Sequence, residues 1–316
     1  MTRIKKPSVI RYIYTALALL LSALFVFSCD TEKQNTTNIN TELNGYCEVK
    51  YDNGDFKGNF KADVRSGEGE FIYNDGSRYV GNYENDVRSG KGKLYYVSGD
   101  IYEGDFADNN FNGYGILTYS DGSKYEGQFV DNSRSGTGTY TYANGEIYTG
   151  EFSNNAKNGK GKMTYTNGDY YDGDWIDNIR EGQGELHIGK NVYVGSFKND
   201  KANGEGTLTH ESGFVYCGNF VDGVENDDDC TITYSNSNVF RGSVVNGVIN
   251  GKGSITYTSG DVASGTFVNG LLQGEGVYFL YGDTSVYIKA ETGEKLEPGE
   301  NDVVYKDGVI ISVTAV

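Results

Sequence analysis

The tripeptide aromatic-x-glycine returns along this chain every 22 to 24 residues, and that period restricts the fold more than any other feature. It stands at Phe56-x-Gly58, Tyr79-x-Gly81, Tyr102-x-Gly104, Tyr125-x-Gly127, Tyr148-x-Gly150, Tyr171-x-Gly173, Tyr193-x-Gly195, Tyr216-x-Gly218 and Phe240-x-Gly242. A tenth unit keeps only Gly265, with Ala263 in the place of the ring. Two residues past each glycine comes a second ring or its substitute: Phe60, Tyr83, Phe106, Phe129, Phe152, Trp175, Phe197, Phe220, Val244 and Phe267. Trp175, the single tryptophan, is a member of this column and therefore a packing residue. With 45 Gly, 27 Tyr and 15 Phe, apolar burial has to come largely from rings laid on a sheet rather than from an aliphatic core.

The second half of each unit alternates. Gly113, Gly115, Leu117 and Tyr119 stand two apart, and the frame recurs at Gly90, Gly92, Leu94 and Tyr96 and at Gly159, Gly161, Met163 and Tyr165. Period two is the signature of a strand. Asx-Gly or Ser-Gly pairs follow at Asn53-Gly54, Asp75-Gly76, Ser98-Gly99, Asp121-Gly122, Asn144-Gly145 and Asn167-Gly168. Between alternating strands such a pair predicts a hairpin turn with both residues at positive φ. Each unit is thus expected to supply two short antiparallel strands, with the rings and glycines on one face. Bare glycine backbone lets a neighbouring ring lie flat across it. The expected fold is all-β: an elongated, right-handedly twisted single antiparallel sheet of about ten successive hairpins, with C-terminal capping strands. The array spans 45–282, and the tail 283–316, with a turn at Asp307-Gly308, caps its last edge.

The N-terminus is a separate object. Arg3, Lys5, Lys6 and Arg11 precede a continuous apolar run from Ala16 to Phe27, interrupted only by Ser22, which is short for a spanning helix and reads as an export signal over residues 1–28. Val26-Phe27-Ser28-Cys29 resembles a lipobox, which makes Cys29 the lipidated residue of a mature bacterial lipoprotein. Residues 29–44 are polar and suit a flexible tether. Removing 1–28 takes four cations and no anions from a net charge of −17 and leaves −21, which disfavours nucleic acid and anionic lipid as partners of the array.

The pattern Tyr-x-Gly-x-Phe, then Gly-x-Gly-x-Leu-x-Tyr, then Asp-Gly closely resembles the MORN repeat (membrane occupation and recognition nexus). That resemblance implies an extended sheet of hairpins acting as a scaffolding, dimerising or membrane-associated interaction module. Some members have been associated with phospholipid, an association the acidic balance here opposes.

Chemistry-bearing residues are few. His187 and His210 fall on opposite faces, so they do not form a metal site, and no catalytic constellation or cofactor motif is present. Cys217 and Cys230 belong to the eighth unit, where the acidic run from Glu225 to Cys230 replaces Gly-x-Gly; an exported pair within one hairpin is a candidate disulfide. Cys47 is then the odd thiol, free or intermolecular. Glu103, Asp105, Glu126, Glu151, Asp172 and Asp174 lie in two adjacent columns and form a candidate acidic stripe for a basic partner or a cation.

These readings converge on a non-catalytic scaffold, anchored to the bacterial cell envelope through Cys29 and binding protein or itself. A surface carbohydrate or cell-wall binder is the other class, since glycine- and tyrosine-rich hairpin repeats resemble choline-binding modules. Those use paired tryptophans, where this chain has Trp175 alone.

Overall fold

The computed structural model describes residues 42–282, 286–289 and 294–313, with the backbone alone of Val26–Cys29. The expected signal and tether lie almost wholly outside the described residues, as does the side chain of Cys29. Every regular element among the described residues is a strand. The chain divides into two compact units, Met1–Val97 and Ser98–Val316, each an open antiparallel sheet of successive hairpins.

In the first unit Gly45–Tyr51, Gly54–Lys61, Val64–Tyr73, Arg78–Glu84 and Val87–Tyr95 pair in chain order, and Val26–Cys29 pairs with Gly45–Tyr51. In the second, the strands from Ile101–Ala107 to Leu271–Leu280 likewise pair with their neighbours in sequence. The tail then adds one more hairpin, Gly299–Lys306 with Val309–Val313, against Leu271–Leu280. Its turn is Asp307-Gly308, at φ 51° and 81°. Tyr305 lies over Gly276 as the repeat rings do over their glycines, so the tail repeats the frame that its sequence conceals.

Two turn types alternate, and only one was legible. At Asp75-Gly76 and its counterparts positive φ falls on the glycine alone: Gly76 at 91°, Gly122 at 89°, Gly145 at 90° and Gly168 at 90°. A three-residue loop closes there, as where the Tyr119 amide donates to Ser123 O at 2.9 Å across Ser120, Asp121 and Gly122. The expectation of two positive φ values at this turn was wrong; the pairs that meet it are at the other end of the hairpin. Asn85-Asp86, Asp108-Asn109, Asp131-Asn132, Asn154-Asn155 and Asp177-Asn178 all take φ between 47° and 73°. These two-residue turns match strand twist, and Asn and Asp tolerate the left-handed region best among residues with a Cβ.

The core of each sheet is a line of glycines roofed by tyrosines. Gly104, Gly115, Gly127, Gly138, Gly150, Gly161, Gly173, Gly184, Gly195, Gly206 and Gly218 stand opposite one another from strand to strand. Tyr102, Tyr125, Tyr148 and Tyr171 lie across this line at 0% exposure, close enough that a Cβ on Gly115 would stand 2.5 Å from the Tyr102 hydroxyl. Each hydroxyl donates to the carbonyl three residues on, Tyr125 to Gln128 at 2.9 Å and Tyr171 to Asp174 at 3.0 Å, so the buried polar group is satisfied locally. The second ring column meets the first edge-on: Tyr125 is 5.0 Å from Phe129 and 5.1 Å from Phe152, at 88° and 83°. Such pairs contribute about 0.5–1.5 kcal/mol each beyond their area. Trp175 sits in this ladder as expected, 4% exposed, its indole N–H donating to Gly161 O at 2.9 Å.

Candidate functional site

The tight turn at Asn85-Asp86 and its counterparts decides what covers the rings. It brings Tyr83 opposite Arg88, Phe129 opposite Arg134, Phe152 opposite Lys157, Trp175 opposite Arg180 and Phe197 opposite Ala202. The residue opposite the ring, two places before the first glycine of Gly-x-Gly, therefore projects onto the aromatic face. In five units it is a cation: Arg65, Arg88, Arg134, Lys157 and Arg180. The Arg65 guanidinium lies 5.0 Å from the Tyr83 ring centre, Arg134 4.9 Å from Tyr140, Lys157 4.1 Å from Trp175, and Arg180 5.5 Å from Tyr171 and 5.6 Å from Phe197. In the third unit Phe111 takes the place and stacks on Tyr102 at 3.6 Å and 8°. Cation–π contacts of partly desolvated groups contribute about 0.5–2 kcal/mol each. Burial pushes the pKa of the Lys157 ammonium below its usual value.

The next turn anchors each covering residue. Arg65 Nε and its amide both reach Asp86 Oδ1, at 3.0 and 2.9 Å; Arg180 does the same with Asp200, at 3.1 and 2.9 Å. Phe111, Arg134 and Lys157 donate their amides to Asn132, Asn155 and Asn178. With asparagine at 155 the buried Nε of Arg134 is left without a hydrogen-bond partner.

The scheme fails at the seventh unit. The covering residue there is Ala202, and the turn residue that would anchor a longer one is Gly223, whose amide still donates to Ala202 O at 2.8 Å. The rings lose their lid, and a hollow of about 410 Å³ opens, lined by Leu186, Ile188, Tyr193, Phe197, Leu208 and Phe220, with Asp200, Lys201 and Glu225 around it. Tyr193 is 6% exposed, where Tyr79, Tyr102, Tyr125, Tyr148 and Tyr171 are at 0%. Glu225 stands opposite Phe220, the place a cation holds in earlier units.

The sequence-predicted sites fare unevenly. Glu103, Asp105, Glu126, Glu151, Asp172 and Asp174 do share the face away from the rings, but the stripe is diluted and committed internally. Ile116, Thr139 and Lys162 stand between successive acids of one column. Asp105, Glu151 and Asp174 accept the amides of Tyr114, Lys160 and Gln183 at 3.0, 2.9 and 2.8 Å, clasping the bulge at each positive-φ glycine. Glu126 accepts from the Tyr114 hydroxyl and pairs with Lys124, and Asp174 also pairs with Lys160, 2.7, 2.6 and 2.6 Å respectively. Among the described residues no His, Cys, Asp or Glu cluster is arranged to hold a metal. His187 pairs with Glu185 and stacks on Tyr170 at 4.1 Å, while exposed His210 caps its own turn through Ser212.

The cysteine expectations are corrected. Cys217 and Cys230 are both free. Cys217 is registered with Thr231, one residue from Cys230, so the period of two places the thiols on opposite faces, one exposed and one buried. Cys230 occupies a glycine place opposite Gly242, beneath Tyr216, where burial pushes its thiol up to about 12. Cys47, expected odd, is disulfide-bonded; it is 0% exposed and its register partner is Cys29.

The family match agrees with the frame. The MORN repeat profile matches residues 56–78, 79–101, 102–124, 125–147, 148–170, 171–190, 193–215, 240–262 and 264–280, skipping the divergent eighth unit. No curated protein matches the chain. Among solved structures, the TCP10 domain of Danio rerio CPAP is 13% identical, covering 63% of this chain and 96% of that one at a TM-score of 0.37. The TCP domain of Drosophila melanogaster SAS-4, solved in complex with a proline-rich motif, is 17% identical over 50% of this chain and 92% of that one, at 0.30. Virginiamycin B lyase from Staphylococcus aureus is 9% identical over 80% and 84%, at 0.14.

Proposed function

We propose a scaffold's role for this chain, which belongs to the MORN-repeat family: it docks protein partners on its repeat sheets, carries out no catalysis, and is held at a membrane of the bacterial cell envelope. The observation that carries the docking reading is the hollow at Ala202, where the long covering side chain of earlier units is missing and an apolar recess opens beside rings that stay buried. Interfaces concentrate their free energy in aromatic pockets of this kind. The anchoring part rests on the sequence of residues 1–29, a basic segment, an apolar run and a terminal cysteine.

Membrane fractionation tests the anchor: wild type is expected in the membrane pellet and Cys29→Ala in the soluble fraction, and a variant that stays in the pellet refutes the lipid. A thioether at Cys29 leaves no thiol there for a disulfide, so the mass of the peptide carrying Cys29 decides between acyl chains and a bond to Cys47. Cross-linking of the native envelope tests the docking part, with a covalent protein adduct on the array as the expected result.

A further inference from the structure

The array shows its own solution for the place that is vacant in the seventh unit. In the sixth, Arg180 runs across Tyr171 and Phe197 and ends against Asp200, and Arg65 does the same against Asp86. These side chains are only 19% and 20% exposed, their stems filling space over the rings while the guanidinium reaches a carboxylate. At Ala202 the rings are present and the side chain is not; the volume left is about 410 Å³. Its walls are apolar, from Tyr193, Phe197, Leu208 and Phe220, and the Glu225 carboxylate stands at its edge with no ion-pair partner among the described residues. Lys201, the one cation beside the hollow, is directed to Asp222 at 3.8 Å. A hollow with a flat aromatic wall, an apolar interior and a free carboxylate is complementary to a guanidinium on a three-carbon stem. Arginine fits it better than lysine, because its planar head stacks on rings and is more weakly hydrated. The net charge of −17 draws basic segments toward the protein and repels acidic ones.

Deepening the scaffold reading, on which it rests, we propose that the hollow at Ala202 binds an arginine side chain from a partner polypeptide, which takes in trans the place that Arg65, Arg134 and Arg180 take in cis. The partner is thus a protein with an exposed arginine on an extended or looped segment, and the seventh unit is where it is gripped.

The test is a methyl NMR titration of the mature chain with a capped Gly/Ser heptapeptide carrying one central arginine, in salt high enough to screen surface attraction. Saturable shifts are expected at the methyls of Ala202, Leu186 and Leu208. A peptide with citrulline at the centre, equal in shape but uncharged, is expected to bind about tenfold more weakly. Ala202→Arg supplies the side chain in cis, as four other units do; it is expected to fold, with an unchanged amide spectrum outside units six to eight, and to abolish the shifts at Leu186 and Leu208. Glu225→Gln is expected to weaken binding several-fold. Equal affinity for the citrulline peptide, undiminished arginine binding to Ala202→Arg, or no saturable shift at these methyls overturns the proposal. A protein adduct on the array in cells, found alongside a failed titration, leaves the scaffold reading standing and removes only this site.

Discussion

Replacing Gly138 by alanine tests the architecture at its narrowest point. Gly138 does not take a positive φ, so its backbone tolerates any residue and the cost is one of space alone. The added Cβ would stand 2.5 Å from the Tyr125 hydroxyl oxygen and 2.6 Å from two of its ring carbons, where ordinary contacts begin near 3.5 Å. The ring has to rise by about an ångström. It thereby gives up its hydrogen bond to Gln128 O at 2.9 Å and its edge contacts with Phe129 and Phe152 at 5.0 and 5.1 Å. A stranded buried hydroxyl costs about 1–3 kcal/mol, and two weakened ring pairs add about 1–2 more. Alanine's lower unfolded-state entropy returns about 0.4–1 kcal/mol. The net expectation is a loss of about 3 kcal/mol, read as a fall in the urea midpoint by the fluorescence of Trp175 and by far-UV circular dichroism together. Gly122→Ala is the control: nothing lies within 4 Å of its Cβ, but φ is +89°, so it carries only left-handed strain of about 1–2 kcal/mol. In the double variant Tyr125→Ala/Gly138→Ala the clash is gone, and a coupling above about 1.5 kcal/mol is expected. A Gly138→Ala cost below about 1 kcal/mol, or strict additivity in that cycle, refutes the idea that rings roofing glycines hold the sheet.

Other outcomes follow from single side chains. Burial raises Tyr79, Tyr125, Tyr193 and Tyr278 to about 12 from an ordinary 10, so the stability they contribute is whole below pH 10 and drains away as pH rises toward 12. Absorbance at the tyrosinate band is expected to rise late and together with loss of the sheet; smooth titration of all 27 tyrosines with the sheet intact contradicts this. Iodoacetamide at mildly alkaline pH is expected to modify exposed Cys217 and spare buried Cys230 until urea is added; if neither reacts, the two are bonded after all. The Tyr83 hydroxyl is buried without a hydrogen bond, in a column where most units carry Phe, so Tyr83→Phe is expected to leave stability unchanged or raise it by up to about 1 kcal/mol, by thermal melting. A loss of more than about 1 kcal/mol shows that the hydroxyl has a partner.

Much of the fold was legible because the repeat averages over local accidents. Alternation placed Tyr102, Gly104 and Phe106 on one strand and Gly113, Gly115 and Leu117 on the next, and the column position of Trp175 identified it as packing. The turns were half legible: Asp121-Gly122 was located correctly but given the wrong geometry, whereas Asp131-Asn132, lacking glycine, carried no short-range signal strong enough to single it out. That omission hid the candidate site. Counting back by twos from Gly138 and Gly206 does reach Arg134 and Ala202, but without the tight turn nothing shows that either stands opposite a ring, because two extra residues between Arg134 and Gly138 shift the pairing there. The acidic columns were placed on the right face, but the residues of intervening strands and the amides that bind Asp105, Glu151 and Asp174 are invisible to a one-dimensional reading. The cysteines failed for a related reason: one residue of register separates a bondable pair from thiols on opposite faces.

Site-specific photo-crosslinking in the native cell tests the docking claim most directly. A photoreactive phenylalanine analogue at exposed Lys201, beside the hollow, and another at Glu126, on the far face, report on the two sides of the same sheet. A discrete protein adduct from position 201, absent from position 126, is the expected result. No adduct from any position scanned along either face contradicts a scaffold that works by binding protein.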